Sequence, residues 1–288
     1  MLGQLILQAL IEGSVYALVA LGLTTIYNAT KVINFAQGEF LIFGSAVAYV
    51  CGTMLNWSPI LIAITAIVAG VVLSLLVERL IMIPVARSRS HFAWIVVTLA
   101  IALVFQAIFN LNFNQVTFHP APMIPGSVSV FGTAVSLQAI LLIVTTAIVG
   151  LTYGLVLTRT TFGRAVRATG FDSDTAQLMA ISVRSVVIFS FIIGGVMTVV
   201  AGLLVAPLYF ISPASGLIFT TGGFIAMVIG GLGSAKGSII GGLIVGFLYS
   251  AVANLFDAQY SQMIVIALLV IILIVRPQGL FALGARRA

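Results

Sequence analysis

The chain has 288 residues, of which 61% are hydrophobic and only 6% are charged, with a formal net charge of +6. Together with a mean hydropathy of +1.27, this composition excludes the soluble globular classes. Segments of the roughly 20 apolar residues needed to span a bilayer fill nearly all of the sequence. We therefore predict an all-α, polytopic membrane protein with a single transmembrane domain over residues 1–288. Cys51 is the one cysteine, which excludes an internal disulfide, and no metal site is predicted.

About nine runs are expected to cross the membrane, and eight if the glycine-rich run 217–233 does not. They cover residues 5–28, 33–54, 59–81, 93–112, 135–157, 186–206, 217–233, 238–256 and 262–275. With the N-terminus outside and the C-terminus in the cytoplasm, all twelve basic residues fall in inner loops, as the positive-inside rule requires. These residues are Lys31, Arg79, Arg87, Arg89, Arg159, Arg164, Arg167, Arg184, Lys236, Arg276, Arg286 and Arg287. Because loop orientation explains the basic residues, no nucleic-acid partner is expected.

The first run carries a polar row. Gln4, Gln8, Glu12 and Tyr16 are spaced four apart, so they lie along one face of a helix. A polar row in lipid must face protein or water. Two interpretations stay open: hydrogen bonds that hold helices together, or one wall of a transport pathway.

The segment INFAQGEF, residues 33–40, places two amides, a glycine and a carboxylate at the start of an apolar run. A break of this kind can present backbone amides to an anionic group, as discontinuous helices do in transporters. Alternatively, it is a helix cap at the membrane surface, with Glu39 near the positive end of the helix dipole. The candidate substrate-pathway residues are Asn34, Gln37, Gly38, Glu39 and Glu12.

Residues 90–158 contain no Asp, Glu, Lys or Arg. Their middle part, 110–125, is rich in Asn and Pro and cannot remain in lipid unpaired. It predicts an outer loop, followed by a turn and a short hairpin around Val128–Phe131. This loop and residues 207–216 are either connecting loops or a docking surface on the outer side.

The most charged segment is 159–184, which holds four of the twelve basic residues and two of the six acids. Residues 163–169 predict a short helix, closed by a left-handed Gly170. Asp174 predicts an N-cap, with Gln177 positioned to complete a capping box before the apolar run 178–181. We expect two short, closely packed helices on the membrane surface.

The last third is glycine-rich, but its GGLGSAKGS segment, residues 230–238, lacks the spacing of a phosphate-binding loop. Close packing of helices explains the glycines better. Any nucleotide-binding fold must therefore lie in another chain.

Four segments carry a family resemblance: INFAQGEF, the charged FGRAVRA, GGLGS with GSIIGG, and the terminal RPQGLF. In this order, from about residue 10 to 282, they resemble the branched-chain amino acid permeases of ABC importers. Gln37 stands where members of that family often have His.

The resemblance implies a subunit that moves leucine, isoleucine, valine or related amino acids across the bacterial inner membrane. It implies a second homologous permease as heterodimer partner, two ATPase subunits that use the ATP, and an external solute-binding protein; this chain itself would hold no cofactor. Segment 159–184 would be the cytoplasmic coupling loop that contacts an ATPase. Its candidate contact residues are Gly163, Arg164, Ala165, Arg167, Ala168, Asp172, Asp174 and Ala176.

Four other functions are alternatives to an amino acid permease. Permeases for urea or short amides share the same motifs. A membrane-embedded enzyme would gather acid and base groups at one depth, and the six acids form no such pair. An ion channel or single-chain secondary transporter would need more charges within the membrane. A structural membrane subunit stays open. We predict no catalytic residue in this chain.

Overall fold

The fold is an α-helical bundle, seen in a computed structural model that describes residues 2–87, 93–113, 116–130, 133–255, 258–275 and 279–280. Its helices are α1 (Leu2–Thr30), α2 (Gln37–Tyr49), α3 (Pro59–Arg87), α4 (Ala93–Phe113), α5 (Leu137–Arg159), α6 (Thr161–Phe171), α7 (Ser173–Leu178), α8 (Val183–Val205), α9 (Gly216–Gly230), α10 (Ala235–Leu255) and α11 (Ala258–Val275). A π-helical turn, Val50–Met54, extends α2, and a 3₁₀ turn, Pro213–Ser215, precedes α9.

Among the described residues, seven helices are long and apolar enough to cross a membrane: α1, α3, α4, α5, α8, α9 and α10. The other two predicted runs correspond to α2 and α11. Helix α2 is shorter than predicted, because residues 33–36 are not helical. Nine crossings and the orientation in the membrane stay predictions. Among the basic residues used to orient the chain, Arg89, Arg276, Arg286 and Arg287 lie outside the described residues.

Helix α1 is the centre of the bundle. Nearly all its residues from 13 to 26 are buried, and it packs against α8, α9 and α10. Small residues make these contacts close: a Cβ on Gly246 would overlap the Gly13 backbone, and one on Gly242 would overlap Ala17. By contrast, α3, α4 and α5 expose rows of large apolar side chains, such as Val72 and Leu151, which is the surface that lipid requires.

The two ends of the bundle are built differently. At one end, Phe118 and Ile211 form an isolated β-bridge that ties the loop before α5 to the loop before α9. The predicted hairpin lies beside them as β1 (Ser127–Val130) and β2 (Thr133–Ser136), paired antiparallel; Phe131 is outside the described residues. At the other end, the C-terminal turn of α1 contacts both α6 and the turn before α10, where Asn28 donates to the Gly233 carbonyl oxygen. We call these the hairpin end and the α6–α7 end.

Candidate functional site

The INFAQGEF segment runs back into the bundle rather than along its surface. Helix α1 ends at Thr30, Lys31 adopts a left-handed φ of 58°, and the Gln37 amide lies against Gly22 of α1. At 1.5 Å per residue, the chain thus retraces roughly 12 Å of α1. Non-helical backbone at such depth requires protein partners for its polar groups.

Those partners are present for each backbone amide at the start of α2. The Ala36 amide donates to Asn34 Oδ1 at 3.1 Å and the Gly38 amide to Thr220 Oγ1 at 2.7 Å. The amides of Gln37 and Glu39 donate to the carbonyls of Asn34 and Ala36. The amides of residues 36–39 are therefore occupied within the chain, and a pathway role for the break stays a prediction. For the cap interpretation, Ala36 at the N-cap position makes no side-chain hydrogen bond, but Glu39 does lie in the first turn of α2, as that interpretation expects.

Gln37 fastens this segment to α8. Its Nε2 donates to the Gly194 carbonyl oxygen at 2.9 Å and to Thr198 Oγ1 at 2.7 Å. Asn34 Nδ2 in turn donates to Gln37 Oε1 at 3.2 Å. Both amide side chains are buried. The arrangement is that of an internal clamp, and a pathway role for Asn34 and Gln37 stays a prediction.

Gly38 and Glu39 fasten the same segment to α9. A Cβ on Gly38 would overlap the Gly216 carbonyl oxygen, and a Cβ on Gly216 would overlap the Glu39 carboxylate. Glu39 is only 3% exposed, and its Oε2 has no hydrogen-bond partner among the described residues. The carboxylate lies in the first turn of α2 and beside the first residue of α9, where two helix dipoles favour a negative charge.

Glu12, the fifth candidate pathway residue, lies apart from this segment and lines a separate cavity. The cavity measures about 250 Å³ and lies toward the hairpin end, between α1, α9, α10 and the loop that follows α8. Its walls include Tyr16, Tyr209, Ser215 and Tyr249. Sequence reasoning identified Glu12 and the row to Tyr16, but it missed Tyr209 and Tyr249, which lie some 200 residues away in the chain and give no local signal.

The charged segment 159–184 forms two short helices, as predicted. Helix α6 buries Gly163, Val166, Thr169 and Gly170, a spacing of three to four that marks one face of a helix. That face packs on α1 and α5. Gly163 is small because a Cβ would overlap the Leu157 backbone within this chain, not because of an external partner.

Two details of the predicted helix ends are wrong. Gly170 is helical, and its missing side chain admits the Asn28 carbonyl oxygen; the left-handed residue is Ala180, with a φ of 60°. The N-cap of α7 is Asp172, whose Oδ1 accepts hydrogen bonds from the amides of Asp174 and Thr175. Asp174 is already inside the helix, so it does not form the predicted capping box with Gln177.

The remaining coupling residues divide between internal and external roles. Arg167 donates to the Leu157 carbonyl oxygen and closes the end of α5, and Ala176 is buried. Arg164 is exposed. Ala165 and Ala168 are half-buried in a surface depression between α6 and the start of α8.

Helices α6 and α7 also expose large apolar side chains, which sequence reasoning missed. Phe171 is 94% exposed, Leu178 86% and Met179 73%. The pattern predicted that the apolar run 178–181 continues the helix after the cap, but α7 ends at Leu178 and the chain turns away at Ala180. These three side chains, with Arg164, form what we call the α6–α7 surface.

An apolar helical bundle with a buried break after its first helix and an amphipathic helix pair between two spans is the architecture of a multi-pass membrane protein. The family of branched-chain amino acid transport system permease components matches residues 5–273. The chain belongs to this family.

Individual relatives are similar in sequence to this chain over nearly its whole length. The chain is 29% identical to the high-affinity branched-chain amino acid transport permease BraD of Pseudomonas aeruginosa, covering 96% of this chain and 94% of the relative. It is 32% identical to LivH of Salmonella typhimurium, covering 93% and 91%. A ribose import permease, RbsC of Escherichia coli, is 26% identical, covering 91% and 81%.

The fold is also found in a solved structure, PsaBC from Streptococcus pneumoniae in complex with Fab. The TM-score is 0.54 at 13% identity, over 96% of this chain and 97% of the other. At this identity the likeness concerns the fold alone.

Proposed function

We propose that this chain is a transmembrane subunit of an ABC importer that carries leucine, isoleucine, valine or related amino acids across the bacterial plasma membrane. Separate ATPase subunits supply the energy, a second homologous permease completes the pathway, and an external binding protein delivers the substrate. The N-terminus and the hairpin end face outward in this proposal, and the α6–α7 end faces the cytoplasm. Family membership and full-length similarity to branched-chain amino acid permeases support it.

The α6–α7 surface is the observation that carries the proposal. Phe171, Leu178 and Met179 are large, apolar and almost fully exposed, yet Arg164, Asp172 and Asp174 accompany them, so the surface does not suit lipid. Exposed apolar groups rimmed by charges mark protein contact sites. We infer that an ATPase subunit covers them.

The connections of α6 explain how such a contact would move the bundle. Helix α6 follows α5 after a single residue, and it packs on α1 and α5. Arg167 and Gly163 both contact Leu157 near the end of α5. Because these contacts are close, a displacement of α6 by an ATPase would be passed to α1 and α5 rather than absorbed.

The outer partner would meet the hairpin end. Phe210 is 72% exposed and stacks on His119 at 4.3 Å between ring centroids. These rings come from the two loops that the Phe118–Ile211 bridge joins. Aromatic groups on paired loops are suited to recognition by a folded partner.

The test replaces the exposed apolar side chains without disturbing the fold. We expect the triple variant Phe171→Ser, Leu178→Ser, Met179→Ser to insert normally and to lose co-purification of the ATPase subunits of its complex. Truncating a large residue at the centre of an interface costs about 2 kcal/mol, which is roughly thirtyfold in affinity. Ser173→Ala, on the exposed part of α7, is the matched control. Wild-type ATPase retention and wild-type leucine uptake in the triple variant would refute the proposal.

A further inference from the structure

The cavity beside Glu12 has the composition of a binding site for a small cation that carries an apolar group. Its volume is about 250 Å³, below the 300–1,000 Å³ range typical of drug-sized ligands. Glu12 contributes the one carboxylate among the lining residues, and no Lys or Arg lines the cavity. Oε2 of Glu12 is buried and has no hydrogen-bond partner within the described part of the chain.

A buried carboxylate oxygen without a partner is costly, and a ligand that brings a cation removes that cost. The walls supply the other contacts. Val15, Val205 and Ile211 are apolar, and Tyr16 stacks on Tyr249 with ring centroids 5.1 Å apart. Aromatic faces attract an ammonium group, and apolar walls accept an aliphatic side chain.

Neutral hydroxyl groups complete the site. Tyr249 Oη is buried and has no hydrogen-bond partner among the described residues, and Ser215 and Tyr209 also line the cavity. These hydroxyls can donate to the carboxylate of a zwitterion without adding charge. The cavity therefore offers separate partners for an ammonium group, a carboxylate and an aliphatic side chain.

The polar row on α1 extends from this cavity toward the hairpin end. Gln4 and Gln8 line a second depression, of about 500 Å³, at the hairpin end beside β2. Asn254 Nδ2 donates to Gln8 Oε1 at 3.1 Å across it. Glu12 follows Gln8 by four residues, so it lies one turn deeper on the same face of α1.

We propose that this cavity is an intermediate binding site in which Glu12 takes the ammonium group of an aliphatic amino acid. The site rests on the proposed function, since it specifies the substrate class of the same permease. The polar row on α1 is then a wall of the access route, and Glu12 is its selective element. Glu39 belongs to the α2–α9 contact and not to this site.

The test uses the whole chain in membranes, carrying Cys51→Ala and Ser215→Cys. It measures the rate at which a cationic methanethiosulfonate reagent modifies the thiol introduced at position 215. Leucine is compared with two analogues: 3-methylbutylamine, which lacks the carboxylate, and 4-methylpentanoate, which lacks the ammonium group. Leucine and the amine should slow the modification. The acid should need on the order of tenfold higher concentration for the same protection, because it lacks the charged hydrogen bond between the ammonium group and Glu12. Thr117→Cys, on the neighbouring loop, should show no protection and serves as the control.

Glu12→Gln should abolish the difference between amine and acid, and Glu12→Asp should keep part of it. Equal protection by amine and acid with Glu12 intact would overturn the inference without any Glu12 variant having to fold. A preference for the amine that survives in Glu12→Gln, or an absence of protection by leucine, would overturn it as well. If the assembled complex imports leucine normally with Glu12→Gln, only this inference fails. If the wild-type complex imports no amino acid at all, the proposed function fails.

Discussion

The start of α2 and the α6–α7 surface both interrupt the apolar bundle with polar residues, but they use them in opposite ways. At the start of α2, the side chains of Asn34 and Gln37 are buried and hydrogen-bonded within the chain. On the α6–α7 surface, large apolar side chains such as Phe171 and Leu178 are left in the open. The amide side chains of the first region find their partners within the chain, and the apolar side chains of the second lack a covering surface. Substitutions should therefore damage assembly at the first region and association at the second.

The largest expected effect is at Gly38. A Cβ there overlaps the Gly216 carbonyl oxygen, which is backbone and cannot move aside alone. Gly38→Ala should therefore destabilise the folded chain by about 3 kcal/mol, the upper part of the usual range for overpacking. Gly154→Ala is the matched control, because a Cβ at Gly154 meets nothing within 4 Å. Thermal unfolding followed by size-exclusion chromatography in detergent measures both, and equal stability of the two variants would contradict the described contact.

A smaller loss is expected at Gln37. Gln37→Leu removes hydrogen bonds to the Gly194 carbonyl oxygen and to Thr198 Oγ1 and should cost about 1 to 2 kcal/mol. Thr158→Val is the control, since Thr158 is exposed and bonds only within its own helix. The same thermal assay applies. An unchanged unfolding temperature in Gln37→Leu would mean that the clamp between α2 and α8 does not contribute to stability.

At Glu39, in the same region, we expect a substitution that lowers transport without affecting assembly. Glu39→Gln keeps the shape of the side chain, so the contact with Gly216 survives and the amount of assembled protein should not change. Leucine uptake should fall several-fold, because a negative charge at the adjoining ends of α2 and α9 is lost. Uptake assays normalised to the amount of protein decide this. Normal uptake in the variant would leave Glu39 with a packing role alone.

The smallest effect is expected at the cap of α7. The Thr175 hydroxyl, together with the Thr175 and Asp174 amides, lowers the pKa of Asp172. A lowered pKa means that the cap is fully stabilising above the pKa of a free aspartate, about 3.9, and is lost as the pH falls through the lower folded value. In Asp172→Ala, amide exchange at Asp174 and Thr175 should therefore be faster near neutral pH, while Asp174→Ala should leave the Thr175 amide protected. Equal exchange in the two variants would contradict the assignment of Asp172 as the cap.

The predictable part of this fold follows from local pattern. Runs of apolar residues located the helices to within a few residues, and the charges near Arg164 located the surface pair α6–α7. Contacts between distant segments were not predictable. Nothing in the sequence near Gln37 indicates that its partner is Thr198, and Gly163 gave no sign that its neighbour would be Leu157 rather than another protein.

The predictions of the helix ends in segment 159–184 were wrong for a local reason. Asp172 and Asp174 are both competent N-caps by residue type, and the choice between them depends on where α6 ends. Gly170 favoured an earlier end, but the close approach of Asn28 requires a glycine inside the helix instead. The exposure of Leu178 and Met179 within this chain could not be predicted, because an apolar run has the same pattern whether the covering surface is in this chain or in another.

The most direct test of the central claim is the accessibility of Leu178→Cys in the Cys51→Ala background, measured with a membrane-impermeant maleimide. We predict no modification in right-side-out vesicles, rapid modification in inside-out vesicles, and strong protection when the ATPase subunits are bound. Modification from the outside, or a rate in inside-out vesicles that the ATPase subunits leave unchanged, would contradict the assignment of α6–α7 as the cytoplasmic docking surface.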